Sequence, residues 1–360
     1  MPHKSTIREI LEEAVESDSF SMGQLYPRVI EALEGSLDSS FYRGIMAHLG
    51  LSNGKAAFQA LIRTAFLIEL VKTPKIDSTK FRVRWTSHFE PDDPRQSSFG
   101  TCYDIFQGAS MELVDALADS SKKELIALFC KNNLLPYELP IDYRDRFHSP
   151  AIHVPENIVW LWDDLPRRVV YLRTILRNLE NASLADFFRK AYAKKIKVKT
   201  YLTDRVQTGD HKTNREKRWE THPASVHYAL RRSCLDIEYA LVAQICQFKG
   251  FSQDLQRKLQ ELKVLPDELK VFRCPITMEP LSFEAFRAEV LDPQHGKSSF
   301  HVGHLNPLKA INDDPKSGHT GANISWISED GNRIQGHHSL ANTRTMIARI
   351  YENYQRFDVI

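Results

Sequence analysis

The stretch that most restricts how this chain can fold lies near its C-terminal end. Phe300-His-Val-Gly-His-Leu305 alternates side-chain character as a half-buried strand does, and Asn306-Pro307 stops it. Residues 306–321 carry Pro307, Pro315, Gly318 and Gly321 and read as a long loop. Asn323-Ile-Ser-Trp-Ile-Ser328 resumes a period of two, with Ile324 and Trp326 on one face and Ile327 on the other. Ser328 is placed to cap a helix whose first turn holds Glu329 and Asp330, acids that the helix dipole favours there. The pattern predicts strand, loop, strand and helix. It puts His304 at the end of the first strand, Asn323 at the opening of the second and Asn332 near the start of the helix. Six of the fourteen histidines fall between His295 and His338. Imidazole exchanges a proton near neutral pH and is the commonest metal ligand, so the crowding points to chemistry.

The N-terminal part reads differently. Thr6-Ile-Arg-Glu9 has the form of a capping box opening an amphipathic helix, with Ile7, Ile10, Leu11 and Val15 on one face. Helices follow over residues 24–34 and 40–48. Gly50-Leu-Ser-Asn-Gly54 reads as a turn, and Lys55–Ile68 as the next helix. Leu67–Lys72 and Lys80–Trp85 alternate like two strands joined at Pro74-Lys-Ile-Asp77. Helix, turn, helix and hairpin is the order of a winged helix-turn-helix, whose second helix lies in the DNA major groove. Gln59, Arg63 and Thr64 would then face outward, and Lys72, Lys75, Lys80, Arg82 and Arg84 would make a basic wing. A small packing domain with solvated lysines is the alternative. Glu90–Ser98, rich in Pro, Asp and Ser, suggests a linker, so residues 1–95 form a winged-helix-like domain and a candidate for DNA recognition.

Residues 96–265 are predicted to be helical, with apolar residues at helical spacing over Ile105–Ala118, Lys122–Lys131, Leu165–Leu179, Ser183–Ala193, Ala224–Phe248 and Ser252–Leu262. Within them, residues 189–219 form the most basic segment of the chain. Lys195, Lys197, Lys199, Lys212, Arg215 and Arg218 are candidate phosphate contacts there, since such clusters displace counterions from nucleic acid. A solvated charged loop is the other reading. Residues 266–360 complete the chain as a third domain, and the expected fold class is mostly α with α+β elements.

Several classes of function are excluded. The net charge of +2 announces no nucleic-acid partner in bulk, which leaves that case to local patches. Five widely spaced cysteines with no CxxC pair suggest free thiols in a reducing cytoplasm, neither a disulfide framework nor a zinc ribbon. No leader-like apolar segment opens the chain and no run approaches a membrane span, so a cytoplasmic protein is expected. No Walker loop, dinucleotide fingerprint or nucleophile elbow occurs. The nearest Glu-x-Lys matches, Glu261-Leu-Lys263 and Glu268-Leu-Lys270, sit on or just after a helix instead of on the strand that a carboxylate nuclease centre needs.

Over about residues 270–345 the order of His304, Asn323 and Asn332 resembles the HNH, or ββα-metal, nucleases. The resemblance implies that His304 is the general base, that Asn323 fixes the loop beyond it, and that Asn332, nine positions on, binds Mg²⁺ or Mn²⁺. Many members carry Asp or His directly before the base as a second ligand; this chain has Gly303. His301-Val-Gly-His304 has the spacing of the Asp-Arg-Gly-His motif of related non-specific ββα nucleases, where one Asn is the main protein ligand, so His301 takes the Asp place. His301, Arg333 and His338 are further candidate ligands or phosphate contacts, and His319 and His337 are others. The zinc-knuckle cysteines of the family are missing, since Cys274 has no partner cysteine. A short nuclease domain joined to long recognition segments implies a sequence-specific double-stranded DNA endonuclease of the type II restriction class. It would act as a homodimer, because one site per chain cuts one strand. The alternatives are a homing or defence nuclease acting on modified or foreign DNA, and a non-catalytic DNA-binding or transcriptional protein.

Overall fold

The computed structural model of the chain describes residues 2–16, 22–34, 39–69, 81–85, 97–132, 135–138, 159–160, 164–196, 231–294, 298–306 and 320–357. They are mostly α, with α+β elements limited to three two-stranded antiparallel sheets. The chain divides into two compact units, Met1–Pro166 with Leu202–Arg231, and Arg167–Tyr201 with Arg232–Ile360. The residues read as a separate middle region are shared between them. Phe99 to Leu135 complete the N-terminal core, whereas Leu172 to Ile196 and Ile237 to Leu265 belong to the C-terminal one. Residues 90–96 of the expected linker lie outside the described residues, and the cores continue across both sequence-predicted boundaries. No described helix is long and apolar enough to cross a membrane.

The N-terminal unit is built from α1 (Pro2–Glu16), α2 (Met22–Glu34), α3 (Ser39–Phe66), α4 (Phe99–Ala118) and α5 (Ser120–Lys131). α1 starts at Pro2, so the capping-box pattern at Thr6 lies inside a helix instead of opening one. The turn expected at residues 50–54 is a kink at one residue. Gly50 has φ 73° and ψ 168°, a conformation glycine adopts without steric penalty, and the helix resumes at once. From Ala57 to Phe66, α3 buries Ala57, Phe58, Ala60, Leu61, Ile62, Thr64, Ala65 and Phe66, and Phe58 and Phe66 both contact the Phe106 ring. This segment is the centre of a core. Thr64, expected to face outward, points inward.

The hairpin after α3 pairs β1 (Leu67–Glu69) with β2 (Phe81–Val83), Leu67 opposite Val83. Arg84, expected in a basic wing, is also buried. Its Nε and Nη2 donate to the Thr64 carbonyl at 3.2 and 2.8 Å, and its N–H donates to the Phe66 carbonyl at 2.9 Å. The guanidinium therefore satisfies the Thr64 carbonyl and the Arg84 main chain that of Phe66, at the end of α3 where the helix dipole favours a cation. Lys72, Lys75, Lys80 and the Arg82 side chain lie outside the described residues. A second short pair, β3 (Tyr137–Glu138) with β4 (Val159–Trp160), completes the strands of this unit.

The C-terminal unit collects α6 (Asp164–Arg177), α7 (Ala182–Ala191) with a π-helical turn at Tyr192–Ile196, α8 (Arg231–Ile245), α9 (Gln253–Glu261) and α10 (Phe283–Leu291). A hairpin of β5 (Phe300–His304) and β6 (Ile324–Ser328) follows, then α11 (Glu329–Gln335) and α12 (Leu340–Arg356). Trp326 is its fully buried centre, with the rings of Phe286 and Phe248 at 4.8 and 6.4 Å. α8 is fastened to the hairpin through polar groups. Trp326 Nε1 donates to the Leu241 carbonyl at 2.9 Å, and Gln244 Oε1 accepts the Trp326 N–H at 2.9 Å.

α6 and α8 are joined by a buried ion pair in which Arg173 Nε and Nη2 donate to Glu238 at 2.6 and 2.5 Å. Removing one member of such a pair leaves a buried charge uncompensated, whereas removing both leaves packing. Arg173→Met is expected to cost about 3–5 kcal/mol of stability, and adding Glu238→Leu to recover most of that loss. Urea unfolding of the single and double variants checks both statements.

Candidate functional site

The hairpin register is Phe300↔Ser328, His301↔Ile327, Val302↔Trp326, Gly303↔Ser325 and His304↔Ile324. His304 thus occupies the last paired position of β5. The chain beyond it is held by Asn323, which is fully buried in a short 3₁₀ turn, Gly321–Asn323, just before β6. Asn323 Oδ1 accepts the Asn306 N–H at 2.8 Å, and its Nδ2 donates to the Asn306 carbonyl at 2.9 Å. The Asn323 carbonyl accepts the Leu305 N–H at 2.9 Å. A side-chain amide here copies a strand partner and extends the ladder past His304. Asp236 on α8 secures the turn by accepting the Gly321 N–H at 2.6 Å. A Cβ at residue 321 would stand 2.5 Å from Asp236 Oδ2, so only glycine fits.

α11 packs on both strands. Ser328 caps it as the sequence predicted, accepting the Gly331 N–H at 3.1 Å. Its far end is tied to the base candidate by Gln335, a buried residue that the sequence did not single out. Gln335 Nε2 donates to the carbonyls of His304 at 2.9 Å and Leu305 at 3.1 Å, with the His338 carbonyl at 3.3 Å. Three residues before Gln335, Asn332 is exposed on α11. His304, Asn323 and Asn332 thus lie on the successive elements of one ββα unit, at the end of β5, just before β6 and on α11. Gly303 has a packing reason: a Cβ there would lie 2.6 Å from the buried Ile327 Cδ1. A side chain directly before His304 would require the Ile327 methyl to shift.

The other predicted residues scatter. Arg333 is exposed and pairs with Glu329 at 2.5 Å, one turn back. His301 and His338 are half-buried, and the His338 ring centroid lies 4.2 Å from that of His337, the planes tilted by 34°. Among the described residues no three His, Cys, Asp or Glu side chains stand together as a metal cage. Gln59 and Arg63 are half-buried on α3 in the other unit. Lys195 spends its charge internally, donating to Glu289 at 2.8 Å and to Ser298 at 3.4 Å. Burial pushes the Glu289 carboxyl up, but hydrogen bonds from Lys195, Ser298 and Ser299 outweigh it and hold the group below the usual carboxylate range. Lys197, Lys199, Lys212, Arg215, Arg218 and His319 lie outside the described residues.

Cys274 acts where the sequence offered no partner for it. Its Sγ accepts the Ser328 hydroxyl at 3.3 Å and the Ser328 N–H at 3.5 Å. A Cβ on Gly331 would meet it at 2.7 Å, so glycine lets α11 approach the sulfur. Burial raises the thiol, but hydrogen bonds from Ser328 and Thr277 outweigh that and lower its pKa overall. A folded pKa below the unfolded one means that this stabilisation is full above the unfolded thiol range and fades as pH falls through the folded value. Cys274→Ala is expected to cost about 1–2 kcal/mol at pH 7 through the lost acceptor and the cavity. The gap to the wild type should widen as pH rises towards the ordinary thiol pKa, read as urea midpoints of both proteins across that range.

No protein-family model and no curated protein matches the sequence. A solved structure described as the crystal structure of a type II restriction endonuclease superposes with TM-score 0.33 at 16% identity, over 49% of this chain and 81% of its own.

Proposed function

We propose that the C-terminal unit is a metal-dependent DNA endonuclease of the ββα-metal kind, hydrolysing double-stranded DNA at specific sequences as a restriction enzyme. One observation carries this reading. His304 closes β5, the Asn323 amide clamps the chain immediately beyond it, and Asn332 stands on the helix whose Gln335 bonds the His304 carbonyl. In this reading a neutral ring nitrogen of His304 takes a proton from the attacking water, a task imidazole performs near pH 7. Its main chain is held from two directions, by Asn323 through residues 305 and 306 and by Gln335 through residue 304. The ring therefore needs little reorganisation to meet the water.

The carboxamide oxygen of Asn332 is a hard donor of the type Mg²⁺ and Mn²⁺ prefer, and its exposure leaves it free to share a cation with water and phosphate oxygens. A cation held there would offset charge on the scissile phosphate and the leaving oxygen. Because Gly303 is packed against Ile327, Asn332 is the protein ligand in this reading. Arg333, next to Asn332 in the sequence, and His338 are candidate phosphate contacts in this reading, with Lys197, Lys199, Lys212, Arg215 and Arg218 as candidate backbone contacts elsewhere. One such site cuts one strand, so a double-strand break requires two copies.

Plasmid incubated with the protein and Mg²⁺ is expected to give discrete fragments, and none when the metal is chelated. His304→Ala should lower cleavage by about 10²–10⁴-fold and leave DNA retention in a mobility-shift assay unchanged. A variant that cuts at the wild-type rate sinks the assignment. Plasmid that is shifted but intact with the wild-type protein supports a DNA-binding protein instead. Asn332→Ala is expected to lose Mg²⁺-supported cleavage by about 10-fold or more, with partial recovery at high Mn²⁺; an unchanged metal requirement counts against its role.

A further inference from the structure

α12 is about 25 Å long and starts beside the candidate site. Ser339 caps it by accepting the Asn342 N–H at 3.1 Å, and the Leu340 N–H donates at 2.8 Å to the carbonyl of Leu305, the residue after His304. Its first two turns are docked. Thr343 is buried, Leu340 and Ile347 pack on the C-terminal core, and Arg344 Nη2 donates to the Pro275 carbonyl at 3.1 Å. From Ala348 to Phe357 every residue is exposed, so about 15 Å of helix stands clear on all sides. The side turned from the core carries Asn342, Thr345, Arg349, Asn353 and Arg356, all exposed and within about 80° of arc at 3.6 residues per turn. A solvated helix face commonly ties its cations to carboxylates three or four residues away. Glu352 has that spacing from both Arg349 and Arg356, yet among the described residues α12 holds no ion pair. The Arg356 Cζ lies instead 5.7 Å from the centroid of the Phe357 ring.

We propose that α12 enters the major groove of duplex DNA, where Arg349 and Asn353 read base edges and Arg356 meets a phosphate. A groove about 12 Å wide admits a helix about 10–12 Å across only where the helix is bare all round, as α12 is from Ala348 onward. Arg349 has no carboxylate to leave, and its fork matches the two acceptors of guanine. Asn353 stands one turn on, about 6 Å along the axis or roughly two base-pair steps, with the amide that pairs with adenine. The helix sets three arginines against one glutamate, a surplus that suits a polyanion. α3, the helix that the sequence pattern suggested for the groove, cannot take this part, since its Ala57–Phe66 segment is the centre of a core. The bond from Leu340 to Leu305 puts the near end of α12 at the chain leaving His304, so a duplex held along the helix passes the candidate base. This assignment rests on the reading that the C-terminal unit acts on duplex DNA, and it adds the side chains that choose the sequence.

Random-sequence duplexes retained by the full chain with metal chelated, then sequenced, test it. The wild type should enrich a motif holding a guanine and an adenine about two base pairs apart. Arg349→Lys keeps the charge but not the paired donors, so it should lose the guanine preference by about tenfold or more while holding random duplex as before. Asn353→Ala should lose the adenine preference to a similar extent. Arg356→Gln should weaken all sequences evenly and lower the slope of log affinity against log salt by about one. All three positions are exposed, so melting temperatures should match the wild type. A wild type that retains no duplex overturns the proposal, and so do Arg349→Lys and Asn353→Ala proteins that enrich the wild-type motif. Retention lost by Ile350→Ser with Tyr354→Ser, but unchanged in sequence preference by the polar-side variants, assigns the contact to the apolar side and overturns it as well. Because retention is read without metal, selective binding by a protein that never cuts sinks the nuclease reading and keeps this one. Specific cutting with the same preference in every variant sinks this one alone.

Discussion

The C-terminal site depends on one buried amide. Asn323 has both polar atoms of its side chain paired with the main chain of Asn306, so neither is left unsatisfied in an interior where that would cost about 1–3 kcal/mol. No shorter or apolar side chain can serve both the N–H and the carbonyl of one residue. The pairing continues the β5–β6 ladder where the strands part, and it fixes the direction in which the chain leaves His304. Asp236 and Gln244, both on α8, hold the two ends of the same segment, at Gly321 and Trp326. A helix distant in sequence thus holds the segment that carries Asn323 through two polar side chains.

The second constraint is close approach. α11 can lie against the hairpin because Gly303 and Gly331 remove the atoms that would collide with Ile327 and Cys274. In place of a metal knuckle, the Cys274 sulfur is the polar anchor of the turn before α10, where it receives the hydroxyl and N–H of Ser328 at the start of α11. A single thiol paired with a helix start performs locally the fastening that several cysteines and an ion would otherwise share. This also explains why an isolated cysteine is compatible with an ordered site. Packing around Trp326, Phe286 and Phe248 supplies the apolar part of the support.

How much of this was legible in the sequence follows from the range of each interaction. The β5–β6–α11 unit was readable because its signals are local: a period of two, a Ser cap and acids in the first turn. The helices of the middle region were readable from their apolar spacing, to within a few residues at most ends. Gln335 was hidden, because its partner carbonyls belong to a strand some thirty residues earlier and a glutamine near a helix end has no distinctive pattern. Thr64 and Arg84 misled for a related reason. Polar side chains on a helix and hairpin read as surface, but here Arg84 turns inward to cap the Thr64 carbonyl of α3, and Thr64 faces the core. Lys195 belongs to the same class, since its partner Glu289 lies on a helix that composition cannot bring near it.

These cases bear on how much positive charge a chain of net charge +2 presents to any ligand. Basic residues counted in a sequence overstate the charge available to a ligand, because some are consumed within the fold. Arg84 and Arg173 are buried, Lys195 is paired with Glu289, and Arg333 is paired with Glu329. An exposed pair such as Arg333–Glu329 is worth little and yields to a phosphate, whereas the buried ones do not. The electrostatic footprint of this protein must therefore be drawn from cations that pay no structural role, and Arg333 on α11 is one that stands beside the candidate metal ligand. That places the adjustable charge next to Asn332, on the one helix that both the hairpin and the Cys274 turn hold in place.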